Sequence, residues 1–183
     1  MLLARHCPSK PHVIPILRAM TSHDLSKLEE VVQFWDGVDR KKKFTKDPNF
    51  DALLTDKYAG LHGELMAGTY DIALDTYPMP AVLGAVLVLD QLSRNMFRGS
   101  ALSFASDPKA LALAKGSISK GRHEEAGENK VWFFMPFMHS EDLADQTACV
   151  EYFTSTSWVS AIHLYTGLLL IEHTLTLFVN LLC

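Results

Sequence analysis

The chain has 183 residues, with 17 Lys and Arg against 21 Asp and Glu, a net charge of −4, and 48% hydrophobic residues. That length supports one domain with a sizeable core. The charge excludes a nucleic-acid protein working through bulk charge, and the apolar content excludes intrinsic disorder.

Residues 1–20 contain Arg5, Lys10 and Arg18 and no acid, as in a mitochondrial transit peptide, but Pro8, Pro11 and Pro15 oppose an amphipathic helix there. The expectation is a disordered leader, with the domain starting at Thr21. Thr21 to Asp24 resembles a capping box, and Leu25, Leu28, Val31, Val32 and Trp35 then recur at helical spacing up to Gly37. Asp39 to Lys43 reads as a solvated charged connection. Asp47-Pro48 starts the next helix, with Asp as N-cap and Pro in the first turn. Its buried face is Phe50, Leu53, Leu54, Tyr58, Leu61 and Leu65, and Gly68 closes it. After the breaker Tyr77 to Pro80, an uninterrupted apolar and small run from Ala81 to Leu89 continues through Arg98 to Gly99 as one helix of about five turns. That helix is expected to be buried all round at its start and polar at its end.

Asp107-Pro108 repeats the Asp47-Pro48 signature, a faint internal similarity. Gly116 and Gly121 are read as chain breaks. A helix through Val131 to Phe134 meets Pro136. Ser140 then caps a further helix with Glu141 and Asp142 in its first turn, where the helix dipole favours acids. No alternating stretch with hairpin turns occurs, so the expected class is all-α, a bundle of about six to seven helices. The domain runs from 21 to 157. Residues 158–183 hold 17 apolar side chains in 26 positions and are expected to form an apolar C-terminal helix packed partly on the domain. That tail is also long enough to span a bilayer, although Glu172 would cost about 2.5–3.5 kcal/mol at the centre.

Two clusters could carry chemistry. Asp90, Arg94 and Arg98 lie at i, i+4 and i+8 on one helix face, with Gln91 and Asn95 in a second polar row. They follow an apolar run, so they project near the core, where charges must be paired or bind something charged. One reading is a structural ion-pair network. The other is a pocket whose guanidinium forks hold a carboxylate or phosphate. The second cluster is His139, Ser140, Glu141 and Asp142, with Asp145 and Gln146 a turn later. His139 could act as a general acid or base oriented by a carboxylate, and the plainer reading is a capped helix start. Arg94 or Arg98 is expected to pair with Glu141, Asp142 or Asp145. Ser140 lacks the G-x-S-x-G elbow of a hydrolase nucleophile. Cys7, Cys149 and Cys183 form no C-x-x-C, and His163, Glu172 and His173 form no H-E-x-x-H, so neither a metal nor a cofactor is expected.

Leu87-Val88-Leu89-Asp90-Gln91-Leu92-Ser93-Arg94-Asn95-Met96-Phe97-Arg98-Gly99 resembles the L-x-L-D-Q-x-x-R-N-x-x-R-G stretch of the domain of unknown function 924 family. Phe137 to Asp142, with Gln146 following, resembles that family's P-F-M-H-S-E-D motif. Val32 to Trp35 and Phe50-Asp51 are similar to its opening helices. The resemblance covers residues 25–152 and implies a tetratricopeptide-like helical fold with no settled activity. After Glu151 the family's H-R-x-I-x-x-F-G-R-F-P-x-R-N segment has no counterpart.

The function expected is that of a binding or interaction module for a protein or a small anionic ligand. The alternatives are a hydrolase-like enzyme with His139 as base, Glu141 beside it and Arg94 and Arg98 as anion holders, or a protein tethered to a membrane through 158–183. The expected location is cytoplasmic, with membrane association or mitochondrial import as alternatives.

Overall fold

The computed structural model describes residues 22–70 and 72–156. The expected leader, the expected apolar tail with His163, Glu172 and His173, and Thr21 of the expected capping box lie outside the described residues. Within them every regular element is helical and none is a strand. No described helix is long and apolar enough to cross a membrane.

The core is organised around one rod. Helix α4 (Met79–Leu87) runs into a π-helical turn (Val88–Leu92) and on into α5 (Ser93–Met96). Every residue from Ala81 to Ser93 is buried, because neighbours surround the rod. Helix α1 (Ser22–Gly37) lies along α4, and α3 (Pro48–Met66) lies against the π turn and α5. Helix α6 (Asp107–Ser119) and a 3-10 stretch (Arg122–Phe133), kinked at Gly127, cover α4 from another side. Helix α7 (Met135–Met138) joins that cover to α8 (Leu143–Ser155). The α1–α4 crossing is tight at Gly84, where a Cβ would run into the Leu28 carbonyl oxygen. Trp35 and Phe133 are fully buried in the core.

Several expectations change. The expected loop at Asp39 to Lys43 is a short helix, α2 (Arg40–Phe44), because the Asp39 carboxylate accepts from the amides of Lys41 and Lys42. Leu53 is 49% exposed rather than buried. The stripe Phe50, Leu54, Tyr58, Leu61, Leu65 advances by four and three residues and turns Leu53 away from the core. The single expected helix to Gly99 contains the π turn and ends at Met96, with Phe97 as its cap. Gly116 lies inside α6 rather than breaking it, and the Leu74 side chain occupies the space its Cβ would take.

The two Asp-Pro signatures do different work. Asp47 caps α3 by accepting from the amides of Asn49 and Phe50. Asp107 is instead the first residue of α6, after Ser106, and its carboxylate is turned to Arg94. Similarly Asp142, not Ser140, caps α8, accepting from the amides of Ala144 and Asp145. The Ser140 hydroxyl accepts from the Asp142 amide one step earlier.

Candidate functional site

The π turn determines what surrounds Asp90. Its register sends the Ser93 amide to the Val88 carbonyl, five residues back, so the Leu89 carbonyl loses the amide that an α-helix would supply. Two hydroxyls replace it: Ser93 Oγ donates to the Leu89 oxygen at 2.9 Å and Ser106 Oγ at 2.6 Å. The Ser93 hydroxyl shares its one proton with the Asp90 carbonyl, 3.1 Å away, which also accepts from an Arg94 guanidinium nitrogen at 2.9 Å. Ser106 has spent its one hydroxyl proton on Leu89. His62 Nε2, 3.1 Å away, therefore carries the proton that completes that bond. Burial lowers the His62 pKa from its ordinary value, in keeping with a neutral ring set edge-on to Phe97.

The Asp90 side chain is fully buried. One carboxylate oxygen faces His139 Nδ1 at 2.8 Å, and the other accepts from Gln91 Nε2 at 2.6 Å. A carboxylate only accepts, so His139 bears a proton on Nδ1, and in the neutral ring Nε2 is the acceptor. His139 is 21% exposed, and its Nε2 has no hydrogen-bond partner among the described residues. Arg94 reaches the Asp90 carboxylate at 3.6 Å. Its full fork goes to Asp107, with both bonds at 2.9 Å.

The expected pairing of Arg94 or Arg98 with Glu141, Asp142 or Asp145 is corrected by this geometry. Arg94 pairs with Asp107. Arg98 pairs with Asp51 of α3 at 2.7 and 3.1 Å, and Asn95 adds a bond to the same carboxylate at 2.8 Å. Asp145 takes Lys115 of α6 at 2.6 Å and the Ser140 hydroxyl at 2.8 Å. Gln146 donates to the Ser140 carbonyl at 2.8 Å and locks that turn. Glu141 is exposed and forms no ion pair among the described residues. The reason is direction: Arg94 projects toward the start of α6 and Arg98 toward α3, while Asp145 of α8 is reached by the Lys115 side chain. Asp51, Asp107 and Lys115 are the partners that helical spacing missed. Each lies on another helix, and only the Phe50-Asp51 pair and the Asp-Pro start gave a local sign.

Burial pushes the Asp51 carboxyl up, but the bonds from Arg98 and Asn95 and the nearby charges of Arg98 and Lys46 outweigh it and hold it below its ordinary value. Asp145 is held low in the same way by Lys115 and Ser140 against the opposing effect of burial. A depressed folded-state pKa gives stability that is present above the unfolded value and lost as pH falls through the folded one. Arg98 is 36% exposed, so Arg98→Ala should cost no more than about 1 kcal/mol at neutral pH. In urea titrations, the gap between wild type and Arg98→Ala should close as pH drops below about 4. A gap that persists at pH 2 would count against the ion pair as its source.

Other chemistry is sparse. Cys149 is buried, with its thiol 3.6 Å from the Phe134 carbonyl, and burial pushes its pKa up to about 12. Such a thiol is a poor nucleophile. Among the described residues no group of three His, Cys, Asp or Glu side chains is placed to hold a metal ion. A cleft of about 520 Å³ opens between the end of α3 and α6, with Leu65, Leu89, Lys109 and Leu113 on its walls. Lys109 spans it by donating to the Leu65 and Met66 carbonyls at 2.8 and 3.2 Å.

Comparison with known proteins agrees with this architecture. A solved protein of unknown function from Agrobacterium tumefaciens is 31% identical, with a TM-score of 0.66 over 71% of this chain and 73% of that one. No curated protein matches. A family model described as "Bacterial protein of unknown function (DUF924)" matches residues 31–166, which takes in both motifs and runs on past Glu151, where the motif resemblance stops. With most of its length and its buried Asp90–His139 pair inside that match, the chain belongs to the DUF924 family.

Proposed function

We propose that this member of the family is a tetratricopeptide-like helical binding module, in which the Asp90, His139, Arg94 and Asp107 network holds the helices in register. The observation that carries this reading is that both guanidinium forks are filled from within, Arg94 by Asp107 and Arg98 by Asp51. A fork that already holds a carboxylate has little left for an anionic substrate.

One observation favours an enzyme as the second reading. His139 is ordered by a buried carboxylate through Nδ1 while its side chain stays 21% exposed, the arrangement of a general base and its orienting partner. In that role Nε2 would take a proton from water or a hydroxyl, and Asp90 would stabilise the imidazolium formed. The two readings separate by turnover of p-nitrophenyl acetate and p-nitrophenyl phosphate by wild type and His139→Ala, together with the thermal shift in millimolar phosphate. The module reading expects no His139-dependent turnover and no phosphate shift. Turnover that disappears in His139→Ala would overturn it.

A further inference from the structure

The most basic stretch of the chain is Arg40-Lys41-Lys42-Lys43-Phe44-Thr45-Lys46, with five of the 17 basic residues in seven positions. Helix α2 buries none of its residues, and Phe44 is 46% exposed. The acids around it are fixed by hydrogen bonds or ion pairs, and the five cations of the stretch outnumber Asp36, Asp39 and Asp47. Asp39 caps α2 and Asp47 caps α3, the latter 3.8 Å from Lys42. Asp36 accepts from Asn129, and Asp51 is paired with Arg98. Lys41 and Lys46 are exposed and form no ion pair among the described residues.

Lysine ammonium groups also lie over the rim of the aromatic core. The Lys42 ammonium lies 4.9 Å over Phe50, and the Lys57 ammonium 4.7 Å over Phe34. Phe34 and Phe50 stack at 6.5 Å, so these two lysines share one patch. Lys43 lies over Trp35 and Trp132, and Phe44 stacks on Trp132. The outcome is a surface of lysines around one protruding phenylalanine, on a chain whose net charge is negative.

We infer that the α2 face docks on an anionic lipid surface, with the Lys41, Lys42 and Lys46 ammonium groups against headgroup phosphates and Phe44 inserted at the interface. A polybasic segment beside an apolar anchor supplies the two signals that stable peripheral attachment needs. Single-stranded nucleic acid fits less well, because it stacks bases on several open aromatic faces, and here Trp35, Phe50 and Trp132 are buried and Phe34 lies under Lys57, so that Phe44 stands alone. An acidic peptide would need a groove. The cleft described above lies at the far end of α3 from this face, about 25 Å along the helix at 1.5 Å per residue.

The inference deepens the binding-module reading by naming a partner, and its failure would leave that reading standing. The test is co-sedimentation of the full chain with vesicles of phosphatidylcholine alone or with about one-third phosphatidylserine, a fraction that gives a strongly negative surface. Binding only to the anionic vesicles, and its loss near 1 M salt where screening acts within about 3 Å, is the result expected. The variant Lys41→Gln/Lys42→Gln/Lys46→Gln should weaken partition about a hundredfold, and Phe44→Ser about tenfold. Circular dichroism checks that the triple variant folds. If it does not, Phe44→Ser and the salt titration of wild type decide. No binding to anionic vesicles, equal binding to neutral ones, or partition unchanged in the variants would overturn the inference. So would tighter binding to duplex DNA or poly-glutamate at the same salt. Turnover dependent on His139 would overturn the module reading and leave the lipid result untouched.

Discussion

Asp90→Ala is expected to destabilise the fold by about 3 kcal/mol, because removing one partner of a buried charge network strands the others. The carboxylate is fully buried and serves His139, Gln91 and Arg94 at once. Without it, the His139 Nδ1 proton and the Gln91 amide lose their acceptors inside the core. Arg94 keeps Asp107, which holds the cost near the lower end of what breaking a buried pair entails. Asp90→Asn should cost less, since the amide oxygen still accepts from one donor while its NH2 opposes the other. Urea unfolding measures both. A second readout is specific to the geometry: the Nδ1 proton of His139 should give a far-downfield, slowly exchanging resonance in wild type and lose it in Asp90→Ala. If Asp90→Ala unfolds at the wild-type midpoint, the network is not what ties the π turn to the end of α7.

Gly84→Ala is expected to cost about 3 kcal/mol, the upper end of the usual range for overpacking. The new Cβ would meet backbone, the carbonyl oxygen, carbonyl carbon and Cα of Leu28. No rotamer change relieves that clash, so α1 and α4 must move apart along the largest packed seam of the fold. Gly63→Ala is the control. Gly63 lies in α3, is exposed, and has nothing within 4 Å of its Cβ position, so alanine should stabilise by about 0.5–1 kcal/mol through helix propensity. Opposite signs for two glycine-to-alanine changes would tie the first to the helix crossing. Equal small effects would refute the close approach.

What the sequence determined by itself is local. The i, i+4 stripe of α3, the Asp47-Pro48 start and the unbroken apolar run after Ala81 each depend on neighbours within a turn or two. Each was legible because helix formation and capping are decided at that range. The placement of Asp90 next to the core was legible too, since it follows directly on residues that only a buried helix could carry. The clustering of His139 with Asp90 was not, for the two are 49 residues apart and their meeting depends on how α7 is carried past the π turn. The π turn was hidden in the same way. Nothing in Val88 to Leu92 demands it locally, and it persists because Ser93 and the distant Ser106 satisfy the Leu89 carbonyl that it leaves open. Ion-pair choice was decided last and furthest from the sequence. Glu141 and Asp145 are natural partners for Arg94 and Arg98 on charge alone. The packing of α5 on α3 and of the π turn on α6 instead places Asp51 and Asp107 in reach, and the long Lys115 side chain of α6 reaches Asp145 on α8. Charge says which groups must be paired in a core. Only the packing of helices against one another says with whom.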